Sequence, residues 1–258
     1  MITIISPTKQ MKQVSYSKIT PSYPVLVDKI LPILKTIRAY QPSEIADLMK
    51  VNEKIALQTF LDFQDTRIEQ VLTLNKELGT PALLAYDGLV FKNIEAEQFT
   101  TEELEFANQH LRILSGFYGV LRPFDLILPY RLEMQLKIKV EEKNLYDYWG
   151  KTLVDTLDAK EEVILNLASS EYSKAIKKYV KNKKQFITVD FLIEKDGQYK
   201  TLATWAKMAR GEMVKTIIKE QLTQPDQLTL HTYQGFSFNK ELSTDTTLIF
   251  VKPYQDNN

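Results

Sequence analysis

The sequence predicts an α/β fold (mixed α+β) in which a mixed sheet and packed helices form a single large domain spanning residues 1–258. Short apolar runs of strand length occur at the start, the middle and the end of the chain. Segments with apolar residues at helical spacing lie between these runs, although not in a regular strand–helix alternation. The chain has only 8 glycines and 10 prolines, with no internal repeat and no linker-like cluster, so nothing in it marks a domain boundary.

The N-terminal part is predicted to be mainly helical after a first strand at 1–6. Pro32 falls inside the first helical pattern and predicts a kink or a late start there. Ser43 and Asn52 are good N-cap residues and open two short helices. The predicted elements are helices at 24–40, 43–50, 52–62 and 67–78, then a buried strand at 82–86.

The C-terminal part mixes strands and helices. Thr100 and Glu103 have the spacing of a capping box, and the apolar stripe after them predicts a helix that ends at Gly116. Asp196 and Gly197 predict the turn of a hairpin. The other predicted elements are strands at 163–168, 186–193, 198–204, 234–238 and 246–252, and helices at 170–181 and 205–222.

Composition excludes several classes of site. There is no cysteine, so thiolate metal sites, iron–sulfur clusters and cysteine nucleophiles are excluded. The two histidines, His110 and His231, are too few for a histidine-rich iron or zinc centre. We therefore expect no metal and no resident cofactor. The start of the chain lacks a signal peptide and no apolar run is long enough to cross a bilayer, so we expect a cytoplasmic protein without a membrane partner.

The 33 basic and 33 acidic residues give a formal net charge of zero. This balance argues against a nucleic-acid binder that works through overall basicity. A local basic face remains compatible with it, because short-range fields follow the local arrangement of charge.

Polar residues follow three of the predicted strands and could form an anion site. Ligands of open α/β sheets bind beyond the carboxyl ends of the strands, and the N-terminus of a helix favours an anion. In the alternative interpretation, Ser169 only caps a helix and the basic side chains are solvated. The residues concerned are Lys9, Asn166, Ser169, Lys207 and Arg210.

The helix predicted at 170–181 has a lysine face. Lysines this close repel one another, which is easier to explain if a polyanion binds there, although a solvated surface helix is the simpler alternative. The lysines are Lys174, Lys177, Lys178, Lys181, Lys183 and Lys184.

The segment 116–123 contains Tyr118, Gly119 and Val120, the apolar–glycine–apolar form of the turn in a helix-hairpin-helix. In that motif glycine lets the backbone approach DNA phosphate. Gly116 would end the first helix, and Pro123 suits the first turn of the second. The alternative is a glycine C-cap followed by a structural turn.

Three arginines, Arg112, Arg122 and Arg131, lie near aromatic residues in the middle of the chain. Arginine beside aromatic rings suits phosphate binding or base stacking. Arg131 and Glu133 would lie on one side of an extended segment, so a structural ion pair between them is an equal alternative.

These segments together resemble the YaaA family of peroxide-stress proteins. The resemblance spans nearly the whole chain in the same order, and the block at 110–134 is its most specific part. The matching motifs are ISPTK at 5–9, HLRILSGFYGVLRP at 110–123, PYRLEM at 129–134, LYDYWG at 145–150, NLASSEY at 166–172, AKMARG at 206–211 and FVKPY at 250–254.

The resemblance implies a role in survival of hydrogen peroxide, by limiting unincorporated iron and the DNA damage that it drives. It also implies an unusual α/β fold with a basic cleft, a helix-hairpin-helix element and double-stranded DNA as a partner. Carried onto this chain, the cleft would gather Lys9, Arg112, Arg122, Arg131, Lys207 and Arg210, and the hairpin would be 116–123. Thr8 stands where we expect alanine in the family.

Three hypotheses follow. The first is a DNA-binding protein of the peroxide response, with no obligate protein partner. The second is an enzyme acting on a nucleotide or nucleic acid, with Lys9, Glu171, Tyr172 and Lys207 as catalytic candidates beside Asn166 and Ser169. The third is direct iron binding by the glutamates near the helix that starts at Thr100, where acidic residues are expected in any case. Those glutamates are Glu95, Glu97, Glu102, Glu103 and Glu105.

Overall fold

A computed structural model describes residues 1–66, 79–157, 161–180 and 185–254. Within them the strands are β1 Ile2–Ile5, β2 Thr80–Pro81, β3 Leu111–Ser115, β4 Gly119–Leu121, β5 Leu126–Ile127, β6 Val163–Asn166, β7 Gln185–Lys195, β8 Gln198–Lys200, β9 Ser237–Phe238 and β10 Thr247–Pro253.

The α-helices of the described residues are α1 Val27–Arg38, α2 Pro42–Met49, α3 Glu53–Asp65, α4 Ala82–Ala85, α5 Leu89–Ile94, α6 Thr101–His110, α7 Leu145–Trp149, α8 Thr152–Thr156, α9 Ser170–Lys177 and α10 Ala203–Lys219. Two 3₁₀ helices lie at Ala96–Gln98 and Pro225–Leu230.

Seven strands form the main path of a mixed sheet in the order β4-β3-β1-β6-β7-β10-β9, and β8 pairs with β7 beside that path. The strands β3, β1, β6, β7 and β10 are parallel to one another, and β4, β8 and β9 are antiparallel to their neighbours. A separate two-stranded sheet pairs β2 with β5. The α/β fold class is therefore confirmed, as a single domain with helices packed on a mixed sheet.

Most predicted elements are found with shorter bounds. The first strand, the capping box of Thr100 with Glu103, the β7–β8 hairpin and the two late strands are confirmed. Pro32 lies inside α1. The predicted helix at 67–78 lies outside the described residues.

Two segments differ from prediction. Residues 82–85 form the helix α4 rather than the predicted strand. The prediction failed because every side chain of this run is buried, and such a run does not distinguish a buried strand from a buried helix. The helix predicted to reach Gly116 ends at His110, and Leu111–Ser115 becomes β3. Leu111 pairs with Thr3 of β1, so sheet pairing outweighs the helical spacing of the apolar residues.

In the part of the chain that the structure describes, no helix combines the length and the apolar character that crossing a membrane requires.

Candidate functional site

The candidate site lies where the parallel strands β3, β1, β6 and β7 end, which we call the carboxyl edge. From β1 the chain moves first to β3 on one side and later to β6 on the other, so the connections reverse direction between β1 and β6. Open α/β sheets bind ligands at such a switch point. The loop after β1 carries Ser6–Lys9, and the loop after β6 ends at Ser169, where α9 begins.

Two serines join those loops. The backbone N–H of Ser169 donates to Ser6 Oγ at 2.8 Å, and the two hydroxyl oxygens lie 3.2 Å apart. Ser169 is the N-cap residue of α9, but its hydroxyl makes no capping hydrogen bond with the helix. Its side chain therefore faces Ser6 at the carboxyl edge, which the capping interpretation did not predict.

Lys9 and Arg131 converge on one carboxylate. Lys9 Nζ lies 2.8 Å from Glu133 Oε1, and Arg131 Nη2 lies 3.6 Å from the same oxygen. Glu133 is 8% exposed, whereas the Lys9 side chain is 62% exposed. The predicted ion pair between Arg131 and Glu133 is thus present, and the sequence reasoning did not anticipate that Lys9 shares it.

Gly116 lets the segment that carries Glu133 cross the end of β3. A Cβ at Gly116 would lie 2.5 Å from the carbonyl oxygen of Leu132, which only glycine tolerates. The close approach fixes the extended chain beside the carboxyl edge and so brings Glu133 to Lys9.

Polar groups of that cluster remain without partners. Arg131 Nε and Glu133 Oε2 are buried and have no hydrogen-bond partner among the described residues. Unmet buried donors and acceptors are uncommon in folded proteins, and each one calls for an explanation.

Glu171, in the first turn of α9, accepts a hydrogen bond from the backbone N–H of Gln135 at 3.3 Å. Burial raises the pKa of Glu171 above its ordinary value, and the neighbouring Glu133 adds to the rise, while the Gln135 N–H and the charge of Lys9 oppose it. A carboxyl group of this kind can exchange a proton nearer to neutral pH than an ordinary glutamate.

Tyr172 is buried beneath this cluster. Burial raises its pKa strongly, and the neighbouring Tyr130 and Glu171 raise it further. The Tyr130 hydroxyl bonds those of Tyr86 and Ser115 at 2.6 Å each, and burial raises the pKa of Tyr130 to about 12. Both phenols therefore stay protonated at neutral pH, so an ionised Tyr172 is not available for catalysis.

Arg210 contributes a third cation, on the β7 side of the site. Burial lowers the pKa of Arg210, and the charge of Asp190 on β7 acts in the opposite direction, so the two side chains are neighbours. Arg210 Nε is buried and lacks a hydrogen-bond partner among the described residues. Lys207, one turn earlier in α10, is exposed, and no contact of the described residues joins it to the cluster.

Asn166 ends β6 opposite Thr188 of β7. Its Oδ1 accepts the backbone N–H of Ala168 at 3.0 Å, and its Nδ2 lies 3.5 Å from the Thr188 hydroxyl. Asn166 therefore shapes the loop that presents Ser169. Asp190, the neighbour of Arg210, lies two residues beyond Thr188 on β7, so Arg210 lies near the same edge.

The predicted helix-hairpin-helix is not confirmed. Gly116 and Tyr118 lie in the turn between the paired strands β3 and β4, and Gly119 and Val120 belong to β4, so the segment does not join two helices. All four residues are buried, and a Cβ at Gly119 would lie 2.8 Å from the Trp149 ring. The backbone N–H groups of Phe117 and Tyr118 are bonded to Ser115 Oγ, so the turn is part of the core.

Two predicted cleft arginines serve the fold. Arg122 lies 2.8 Å from the buried carboxylate of Asp125 and also donates to the carbonyl of Tyr23. Arg112 donates to the backbone carbonyls of Asn108 and Leu111. Both guanidinium groups are therefore engaged with groups of the fold itself.

The lysine face begins one turn from the site. Lys174 lies over the ring of Tyr146, whose hydroxyl donates to the carbonyl of Glu171. Lys178 lies over Tyr179 and 3.6 Å from Asp147. Lys177 lies 5.9 Å from the Phe186 ring centroid. The remaining lysines of the predicted face, Lys181, Lys183 and Lys184, lie outside the described residues.

The described residues contain no group of three or more histidine, aspartate or glutamate side chains that could hold a metal ion. Three of the five glutamates considered for iron are engaged in ion pairs or in helix capping. Glu95 pairs with Lys215, Glu97 pairs with Lys12, and Glu103 belongs to the capping box.

Comparison with known proteins gives a consistent family assignment. A family model described as "Peroxide stress protein YaaA" matches residues 1–242. A UPF0246 protein of Clostridioides difficile (strain 630) is 40% identical over 253 residues, which are 98% of this chain and 100% of the relative. UPF0246 proteins of Agathobacter rectalis and Ligilactobacillus salivarius are 38% and 37% identical over 98% of this chain and 99% and 100% of their own.

Proposed function

Because the chain belongs to the YaaA family of peroxide stress proteins, we propose that it acts in the response to hydrogen peroxide by binding double-stranded DNA at the carboxyl edge. Binding there would limit iron-driven oxidative damage to the DNA.

The observation that carries this proposal is the pair of buried arginine donors. Arg131 Nε and Arg210 Nε are both without hydrogen-bond partners among the described residues, at two places along one edge of the sheet. Guanidinium groups favour phosphate because their planar donors match two of its oxygens. Both side chains are partly exposed, so their other guanidinium donors can contact a polyanion that spans the edge.

The serines and the start of α9 lie between those two arginines. The hydroxyls of Ser6 and Ser169 and the N-terminus of α9 are donors that suit a phosphate oxygen. Phosphate contacts of this kind fix a protein on DNA without reading its sequence. The proposal therefore predicts binding with little sequence preference.

The two glutamates limit the strength of this interaction. Glu133 already neutralises part of the charge of Lys9 and Arg131, and Glu171 stands beside them. We expect only about three or four phosphate contacts, from Lys9, Arg131, Arg210 and the exposed lysines, which corresponds to a slope of about −3 in a plot of log K against log salt.

A fluorescence anisotropy titration of a labelled duplex at salt concentrations between about 25 and 200 mM tests the proposal. Binding that weakens with a slope near −3 supports it. Absence of binding at the lowest salt, or binding that does not depend on salt, contradicts it.

A second candidate function is an enzyme that acts on a nucleotide or nucleic acid. The raised pKa of Glu171, close to Lys9 and Ser169, is the observation that favours it, since a general acid or base works best when its pKa lies near the operating pH. Product analysis of a panel of nucleotides and DNAs tests it. Turnover that Glu171→Gln abolishes supports this function, and unchanged substrates exclude it.

A further inference from the structure

A cleft of about 350 Å³ lies where the long strand β7 continues past the carboxyl edge and turns into β8. Its first β7 residue, Ile193, lies five residues beyond Thr188, the neighbour of Asn166 at that edge. No described residue of its lining belongs to the candidate site. Small-molecule sites typically enclose about 300–1,000 Å³, so the cleft has room for a small organic ligand.

Strand pairing places the side chains of the cleft on one face of the sheet. Successive residues of a strand point to opposite faces, and directly paired residues of neighbouring strands share a face. Ile193 pairs with Lys200 of β8 on one side and with Lys252 of β10 on the other. Lys195 and Tyr254, each two residues further along its own segment, therefore lie on the same face as Ile193.

The apolar part of the cleft has a buried floor and exposed walls. Ile193 is 5% exposed, whereas Leu202 and Tyr254 are 40% and 42% exposed. Leu202 directly precedes α10, and Tyr254 directly follows β10. A ligand that removes this apolar surface from water gains free energy, so the walls favour a flat apolar group.

Charged side chains adjoin these walls. Among the described residues of the lining, two are lysines, Lys195 and Lys200, and one is an aspartate, Asp196. Lys195 Nζ lies 4.1 Å from the centroid of the Tyr254 ring, so a cation stands directly beside the aromatic wall. A ligand that carries an anionic group next to a flat ring matches this arrangement.

We propose that this cleft binds a nucleoside monophosphate. The phosphate contacts Lys195 and Lys200, the ribose hydroxyls donate to Asp196, and the base packs against Leu202 and Tyr254. This inference concerns a second site and does not depend on DNA binding at the carboxyl edge.

The charges of the lining favour a nucleotide over a simple aromatic acid. A phosphate monoester carries a charge of about −1.5 to −2 at pH 7, which two lysines balance, whereas a carboxylate carries a single charge. Asp196 repels an acid that brings no donor. A ribose offers it hydroxyl donors, as it does to the acidic residue of dinucleotide sites. Each part of a nucleoside monophosphate therefore has a counterpart in the cleft.

Isothermal titration calorimetry of the unmodified protein tests the inference. The ligands are the 5′-monophosphates of adenosine, guanosine, cytidine and uridine. Adenosine, which lacks the anion, and inorganic phosphate, which lacks the flat group, are the comparison probes. We expect at least one monophosphate to bind about tenfold more tightly than either probe, because hydrogen bonds to a charged group add to the apolar contact.

Two variants locate the site. Lys200→Gln removes one cation, so the affinity for the monophosphate should fall about tenfold while that for adenosine stays unchanged. Leu202→Ser removes part of the apolar wall but places a good N-cap residue before α10, so the fold is kept while the affinity falls about fivefold. Lys54→Gln, at an exposed lysine of α3, is the matched control and should bind as the wild type does.

Absence of binding by all four monophosphates at millimolar concentration overturns the inference. Inorganic phosphate that binds as tightly as the monophosphates overturns it as well. Unchanged affinity in a folded Lys200→Gln variant places the nucleotide elsewhere and has the same consequence. The DNA-binding proposal stands in each case, because the cleft and the carboxyl edge are formed by different residues.

Discussion

The backbone N–H of Ser169 donates to Ser6 Oγ at 2.8 Å, across 163 residues of sequence. This bond joins the loop after β1 to the N-cap of α9 at the point where the strand connections reverse direction. It therefore sets the width of the site between Lys9 on one side and Glu171 on the other. The same bond leaves the Ser169 hydroxyl free of a capping role.

Replacing Ser6 by alanine should test that bond. The Ser169 N–H would lose its acceptor, and we expect the free energy of unfolding to fall by about 1–3 kcal/mol. Urea denaturation measures the change. Ser17→Ala, at an exposed serine of the following segment, should alter stability by less than about 0.5 kcal/mol. An equal effect of the two substitutions would refute the structural role of Ser6.

Gly119 tests the assignment of the predicted hairpin to the core. Its φ is +78°, and a Cβ there would lie 2.8 Å from Trp149 Cζ3 and 2.9 Å from Leu26 Cδ1. We expect Gly119→Ala to lower the free energy of unfolding by about 2–4 kcal/mol, because the positive φ strains an alanine and its Cβ overpacks the core. Thermal and urea denaturation report it.

Gly197 provides the matched comparison for Gly119. Its φ is +72°, but nothing lies within 4 Å of an added Cβ. The variant Gly197→Ala should lower the free energy of unfolding by only about 1 kcal/mol, because the positive φ strains the backbone but the added Cβ meets no other atom. Similar losses at the two glycines would mean that the turn at Gly119 is not packed as described.

The sequence predicted the elements whose patterns are local. The Thr100–Glu103 capping box and the Asp196–Gly197 turn depend on neighbouring residues, and both are present. Long-range pairing was not predictable in the same way. Leu111–Ser115 continues a helical stripe in sequence but pairs with β1, and nothing local distinguishes the two outcomes.

The candidate site was predictable in part. Polar residues after strands pointed to Ser169 and Lys9, since strand ends of a parallel sheet converge. The partner of Lys9 was not predictable, because Glu133 reaches the edge only through the close approach of Leu132 to Gly116. Arg122 looked like a cleft residue because a sequence does not reveal the buried Asp125 beside it.

Arg122 should prove structural. Burial raises the pKa of Asp125, and the Arg122 guanidinium and the Ser22 hydroxyl act against that rise. Arg122→Gln leaves the buried carboxylate without its cation, so we expect a loss of about 2–4 kcal/mol in urea denaturation. Arg122→Lys should lose less, because it keeps a charge. If Arg122→Gln leaves stability unchanged but weakens DNA binding, the assignment to the fold is wrong.

Glu171 should give stability a dependence on pH. Its pKa is raised in the folded state, so its ionised form destabilises the fold and the protonated form does not. The contribution of Glu171 to the free energy of unfolding is fully present below the pKa that Glu171 has in the unfolded chain, which is close to 4.5. It is lost as the pH rises through the higher pKa that Glu171 has in the folded protein. Glu171→Gln should therefore match the wild type near pH 4 and become the more stable protein as pH rises.

Urea denaturation of both proteins from about pH 4 to pH 8 follows this difference. Glu162→Gln, at an exposed glutamate, is the control: its free energy of unfolding should change with pH in the same way as that of the wild type over this range. A constant difference between Glu171→Gln and the wild type at every pH would contradict the assigned direction of the shift.

The most direct measurement of the DNA-binding claim is the affinity of one labelled duplex for four proteins: wild type, Lys9→Gln, Arg210→Gln and the double variant. We expect each single change to weaken binding about five- to tenfold and to reduce the salt slope by about one, with additive effects in the double variant. Lys54→Gln, at an exposed lysine of α3, is the control and should bind as the wild type does. Unchanged binding by the double variant, while it remains folded, would contradict the account.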